Sequence, residues 1–497
     1  MSQSARLFWA LAVLALIFQV AVLGSSGRFQ ESAADGSDKA KSQQTTKASK
    51  KRKKKKAVTT VPYVVFSPAP PPVIPSSPIT TNSVEELSTT PPPSARNISG
   101  AEKSPGVHVS PKGIQPSGPV PASNLVISEF RLRGPSGAND EFIEIFNGSG
   151  ADHTVAGGGT GYAIAASDGV ARCVIPNGTV IPNKGHYLCV NSVAYSLSSY
   201  PAGNGTTATG DATYTTDIPD NAGIALFDTS IQANFNLAHR FDAVGSTSEA
   251  NTLYKEGTGY PALVPFSINY SFYRDNCGKG GSITAAGPCP TDGSLKDSDN
   301  NAVDFIFVDT NGTSAGAGQR LGTPGPENLS APIERNASFA ANLLDTCSAG
   351  PTPPNRVRDF TSDPANNSTF GTIDIRRTVT NNTGGNVTRL RFRIIDLTTF
   401  PAPSGFADLR PRTSPAVVVT VDRPPCGSGT SNVTVQGTTL EQPPTQANGG
   451  GFNSSMSAGT VTLATPLANG ASLDVRFLLG IQQTGHFKAI VNVEALP

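Results

Sequence analysis

From residue 125 to the C-terminus the chain is a succession of short apolar runs separated by turn-forming residues. Residues 125–132 (Leu-Val-Ile-Ser-Glu-Phe-Arg-Leu) and 141–146 (Glu-Phe-Ile-Glu-Ile-Phe) read as two strands, with the turn residues 134–140 between them. Further runs at 162–166, 187–190, 223–228 and 304–309 are set apart by Asn-Gly, Pro-Asn and Gly-Gly signals. Short strands of this kind, with no sustained helical periodicity, predict an all-β sandwich. The best helix candidate is a weak turn at 193–199.

A second β region follows Pro324-Gly325-Pro326, with runs at 372–375, 387–396, 417–421, 433–435, 461–463, 473–479 and 487–493. In the second of these, Leu390, Phe392 and Ile394 alternate with Arg391 and Arg393. That is the period of a half-buried strand. Seven segments in about 165 residues suit one sandwich with long loops. The Pro-Gly-Pro triplet is the natural joint, and each half has enough strands for its own core.

The first 120 residues have a different texture. Arg6 precedes an apolar run, 7–23, broken only by Gln19 and followed by Gly24, Ser25 and Ser26. This is the pattern of a secretory signal peptide over residues 1–24. The run falls just short of the about 20 residues a membrane span needs, although an uncleaved anchor stays open. Residues 25–120 form a basic, then proline-rich linker, with 15 prolines between Val61 and Pro121. Such a composition buries too little apolar surface to offset ordering entropy and predicts a disordered, extended spacer.

Charge sharpens this division. Residues 1–56 hold 12 of the 38 Lys+Arg and 3 of the 37 Asp+Glu, leaving 26 basic and 34 acidic side chains for the rest. A basic arm (+9) thus precedes an acidic body (−8), and the overall +1 conceals both. The arm ends in Lys50, Lys51, Arg52, Lys53, Lys54, Lys55 and Lys56. Three readings apply: a nuclear localisation signal, which an exported protein has no use for, a merely solvated tail, or an electrostatic arm. In the last, the partners would be an anionic envelope polymer, a membrane surface or extracellular nucleic acid.

Six cysteines, Cys173, Cys189, Cys277, Cys289, Cys347 and Cys426, with no Cys-x-x-Cys pair, favour disulfides in an exported chain. Locality favours Cys173–Cys189, Cys277–Cys289 and Cys347–Cys426.

Seven motifs then carry a resemblance. They are Leu125-Val-Ile-Ser-Glu-Phe130, Asn139-Asp-Glu-Phe-Ile-Glu-Ile-Phe-Asn147, Gly185-His-Tyr-Leu-Cys189 and Asp220-Asn-Ala-Gly-Ile-Ala-Leu-Phe-Asp228. Phe241-Asp-Ala-Val-Gly245, Asp299-Asn-Asn-Ala-Val-Asp-Phe305 and Leu321-Gly-Thr-Pro-Gly-Pro326 complete the series. Residues 121–330 resemble the bacterial exported branch of the lamin tail domain family. The resemblance implies an immunoglobulin-like sandwich and no catalytic residues, since the family is a structural and targeting module. The coiled-coil rod of nuclear lamins has no counterpart here, which removes any inference of filament formation. Residues 331–497 are immunoglobulin-like by pattern alone.

Candidate chemistry is sparse. Gly312-Thr-Ser-Ala-Gly316 matches a nucleophile-elbow pattern, but the following Ala-Gly-Gln-Arg-Leu-Gly-Thr-Pro cannot open the helix that chemistry needs. Asp297-Ser-Asp-Asn-Asn-Ala-Val-Asp304 offers oxygen ligands, yet Ala302 and Val308 stand where a calcium loop of the EF-hand kind needs Gly and Glu. His108, His153, His186, His239 and His486 show no metal-pair spacing. The sole Trp is Trp9 and no Tyr follows Tyr273, which counts against sugar stacking by the second sandwich. The sequence therefore assigns no catalytic, cofactor or metal residue. It predicts two immunoglobulin-like sandwiches behind a signal peptide and a stalk, acting as a non-catalytic structural, adhesion or binding protein of the cell envelope or exterior. The alternative is an accessory subunit targeting an exported hydrolase. A protein partner fits either reading, and the oligomeric state stays open.

Overall fold

The computed structural model describes residues 125–264, 268–276, 284, 295–312 and 320–497, all within one compact unit. The basic run Lys50–Lys56, the predicted signal peptide and linker, Cys277, Cys289 and Ser314 lie outside the described residues.

The first half contributes β1 (Leu125–Arg131), β2 (Phe142–Asn147), β3 (His153–Thr154), β4 (Gly161–Ala166), β5 (Ala171–Pro176) and β6 (Val180–Ile181). It continues with β7 (His186–Asn191), β8 (Ala212–Tyr214), β9 (Ile224–Phe227), β10 (Arg240–Val244), β11 (Tyr270–Arg274) and β12 (Phe305–Asp309). A six-stranded sheet, β12-β11-β1-β2-β7-β8, packs on a four-stranded one, β10-β9-β4-β5. Pairing is antiparallel except between β7 and β8. The core between the sheets follows from period-two alternation: Leu125, Ile127 and Phe130 of β1, Ile143 and Ile145 of β2, and Tyr187 and Cys189 of β7 face Ile164, Ile175, Ile224 and Leu226. A bulge between Ile127 and Glu129 resets the phase of β1, which turns Phe130 inward and Glu129 outward. Cys173 in β5 and Cys189 in β7 form a disulfide across the two sheets.

The second half contributes β13 (Ile333–Glu334), β14 (Phe339–Leu343), β15 (Arg356–Asp359), β16 (Thr372–Asn381), β17 (Arg389–Leu397) and β18 (Asp408–Arg412). Then come β19 (Val417–Asp422), β20 (Thr430–Val435), β21 (Thr439–Gln442), β22 (Ser455–Ser457), β23 (Ser472–Gln483) and β24 (Ala489–Leu496). The sheets β13-β24-β17-β22-β21 and β14-β16-β23-β18 enclose a second core. Leu390, Phe392 and Ile394 meet Val475, Phe477 and Leu479 there. The β19–β20 hairpin stands apart, with a small cluster of Leu344, Val419, Val421 and Val435. The Cys347–Cys426 disulfide lies beside it, linking the segment after Leu344 to the loop after β19.

The regular structure of the described residues is almost entirely β, in mainly antiparallel sheets, as the strand pattern predicts. Details differ. The run at 461–463 is loop, its valine buried but its leucine exposed. The 193–199 segment forms no helix; it folds over β2 and β7, where Leu197 and Tyr200 cover Phe142, Leu188 and Val190. Strands such as β15 and β18 carry too few apolar residues to stand out in the sequence.

Pro324-Gly325-Pro326 is no exposed joint. Residues 321–328 are buried throughout, and Thr323 N–H donates to the Phe452 carbonyl while Phe452 N–H donates to that of Leu321. Tyr273, Ile306 and Val308 of the first sandwich pack on Phe452 of the second.

Candidate functional site: a buried ionic seam

Two rows of outward-facing side chains meet between the sandwiches. In the first sandwich the register places Ile306, Tyr273, Glu129, Glu144 and Leu188 side by side across β12, β11, β1, β2 and β7. In the second, Glu334, Glu494 and Arg391 align across β13, β24 and β17, and Arg393 lies opposite Asn492. Glu129 and Glu144 are thus like-charged residues directly opposite one another, an arrangement that is unfavourable on an open sheet. Both are 3% exposed.

The seam supplies partners for nearly every oxygen. Glu129 accepts from Gly325 N–H at 2.9 Å and from Asn453 Nδ2 at 3.0 Å. Glu144 accepts from Ser128 Oγ at 2.5 Å and Glu327 N–H at 2.6 Å. Glu494 receives Arg391 Nε at 2.5 Å on one oxygen and Arg393 Nε at 2.8 Å on the other. Glu327, carried by the connecting segment, pairs with Arg391 and lies 2.8 Å from Arg393 Nη2, close enough for an ion pair though not aligned as a hydrogen bond. Arg393 Nη1 also donates to the Asn453 side chain at 2.9 Å. Lys184 pairs with Glu334 at the margin, again joining one sandwich to the other.

Four carboxyl groups (Glu129, Glu144, Glu327 and Glu494) thus meet two guanidinium groups. Desolvation resolves the surplus. Burial pushes the carboxyl of Glu144 well above its usual range, reinforced by Glu129, and pushes Glu129 up as well. Glu494 moves down, because Arg391 and Arg393 outweigh its burial. His186 is pushed down to about 3 by burial, with Arg393 and Arg391 adding to the effect and Glu494 opposing it. Its Nε2 is 3.3 Å from Glu327 and 3.8 Å from Glu144, and its Nδ1 has no hydrogen-bond partner among the described residues. A cavity of about 60 Å³ lined by Glu129, Glu144, His186, Glu327, Arg393 and Glu494 adjoins these groups. It has room for a few waters, each needing roughly 10–15 Å³ on this measure. Paired charges of this kind fix orientation more than they add stability, because desolvation consumes most of the Coulombic gain.

None of the seam's acidic residues was singled out in the sequence, and Arg391 and Arg393 read there as the polar side of a half-buried strand. In the structure all of β17 after Arg389 is buried. The available signal was β2: Phe142 and Phe146 flank Glu144 on the face opposite Ile143 and Ile145, so both faces are apolar, the mark of a strand covered twice.

The other candidates are placed as follows. Asp304 accepts from Ser298 N–H, Ser298 Oγ and Asn300 N–H, so the 297–304 stretch is a self-bonded turn ending in one helical turn, Asn301–Asp304. His153 Nε2 hydrogen-bonds the Tyr162 hydroxyl at 3.1 Å, the two rings tilted by 47°, and His239 bonds Asp228 at 2.7 Å. Comparison with known proteins finds no matching family model, no similar curated protein and no similar solved structure.

Proposed function

We propose that the protein is an exported, non-catalytic structural or adhesion protein whose two sandwiches form one rigid body carried on a basic, proline-rich leader. The observation that supports this reading best is the seam: the outer faces of two sheets are spent on holding the sandwiches in a fixed relation. Two disulfides are compatible with an oxidising compartment. The resemblance of residues 121–330 to the lamin tail domain family points the same way, to a module that binds through its surface. The run Lys50–Lys56 supplies the electrostatic arm, each cation contributing on the order of 1 kcal/mol near an anionic surface.

Co-sedimentation with anionic vesicles, envelope polymer and DNA tests the arm. Residues 25–497 bind at low salt and release steeply as salt rises, with screening over about 8 Å at physiological ionic strength. Replacing Lys50–Lys56 with Ser abolishes binding and leaves thermal unfolding unchanged. Equal binding by the substituted protein, or indifference to salt, refutes the electrostatic role.

A further inference from the structure

Away from the seam, one oxygen from each of Asp242, Glu256 and Asp297 lies within 4.8 Å of the other two. Asp242 sits on β10, Glu256 follows the short 3-10 turn Thr252–Tyr254, and Asp297 precedes the helical turn. Asp242 is fully buried and Glu256 is 6% exposed, whereas the Asp297 side chain is 37% exposed and opens the cluster to solvent. The surrounding charges are Arg274, 2.5 Å from Asp242 and 3.3 Å from Asp297, and Arg240, 3.2 Å from Glu256 Oε1. Asp304 lies 3.8 Å from Arg274 and 3.9 Å from Lys296. Four carboxylates thus face three cations. Asp242 already accepts from Ile127 N–H, Ala243 N–H and Arg274. Glu256 Oε2, on a side chain only 5% exposed, has no hydrogen-bond partner among the described residues.

We propose that this cluster is a binding site for a divalent cation of the calcium type, held by Glu256 and Asp297 with Asp242 as third oxygen donor. The donors are all hard oxygens, which suit calcium and not the softer metals. Calcium sits about 2.4 Å from each ligand, so oxygens on opposite sides of the ion stand up to about 4.8 Å apart. The cluster meets that limit. Water fills the positions on the open Asp297 side.

The test is calorimetric titration of the chelator-stripped chain with CaCl₂ at pH 8, alongside melting curves with and without the ion. Saturable binding at one site and a melting temperature raised by several degrees are expected. Glu256→Gln and Asp297→Asn lose both responses while still folding without the ion. Should Glu256→Gln fail to fold, the exposed Asp297→Asn decides alone. Absence of saturable heat, or variants that respond like the native chain, overturns the site.

Discussion

The inner and outer faces of the same strands solve burial in opposite ways. On β17, Leu390, Phe392 and Ile394 enter an apolar core, while Arg391 and Arg393, also buried, enter the seam one residue away. The core needs only shape and apolar area. The seam needs an inventory: each charge must find a partner of opposite sign or a proton, and each donor an acceptor. The core therefore tolerates conservative exchange, whereas the seam tolerates removal of everything or nothing.

The largest test of that contrast is to separate the two halves. Residues 121–330 and 331–497 each keep a core of their own, but each alone exposes one side of the seam and of the Phe452 contact. The intact chain is expected to melt in a single transition above that of either fragment, and the mixed fragments to associate. Two transitions in the whole chain, at the fragments' own temperatures, would mean that the seam couples nothing.

Next in size is the loss of one partner. Arg391→Ala strands Glu327 and Glu494 in the seam and is expected to cost about 3–5 kcal/mol, as much as Phe392→Ala does in the core. Replacing Arg391, Arg393, Glu327 and Glu494 together by apolar residues of similar volume is expected to cost little or even to stabilise. Chemical denaturation of the three variants gives the comparison; a quadruple variant weaker than Arg391→Ala would show that the seam works by net attraction.

Removing the bridge within the first core comes next. Cys173 and Cys189 are 16 residues apart, and a loop of about that length is worth roughly 3 kcal/mol in the chain-entropy model. The double serine variant is expected to lose that much, with the seam intact as judged by a single transition.

The smallest effect is the dependence on pH, and it has a definite sign. Glu129 and Glu144 have folded values above the ordinary 4.5, as do Glu141, raised to about 8, and Glu256. Their contribution is complete below about pH 4.5 and is lost as pH rises through the folded values. His186, pushed down to about 3, works in the other direction: its contribution is present above its ordinary 6.5 and is lost as the pH falls towards 3. The melting temperature is therefore expected to decline from pH 7 to pH 10. Glu144→Gln, unable to ionise, should flatten part of that decline; an unchanged slope would remove Glu144 from the account.

The strands of both halves were legible as short apolar runs between turn residues, and at 387–396 the period of two tied Leu390, Phe392 and Ile394 to one face before any partner was known. Short-range disulfide pairing was legible on another ground: Cys173 and Cys189 are 16 residues apart, with the turn signal Ile175-Pro-Asn-Gly178 between them. The sequence by itself thus determined the class of fold, most of the longer strands and, at 387–396, the inward face. What lies over an outward face is a different matter. The charges of Glu129, Glu144, Arg391, Arg393 and Glu494 look like solvated positions, and their partners stand as much as 324 residues away, as Asn453 does from Glu129. Only the tertiary structure decided that the Pro324-Gly325-Pro326 segment is buried and that the two polar faces close on each other. The physical reason is that hydrophobic periodicity is local, whereas charge neutralisation inside a protein is a property of whatever the chain brings together.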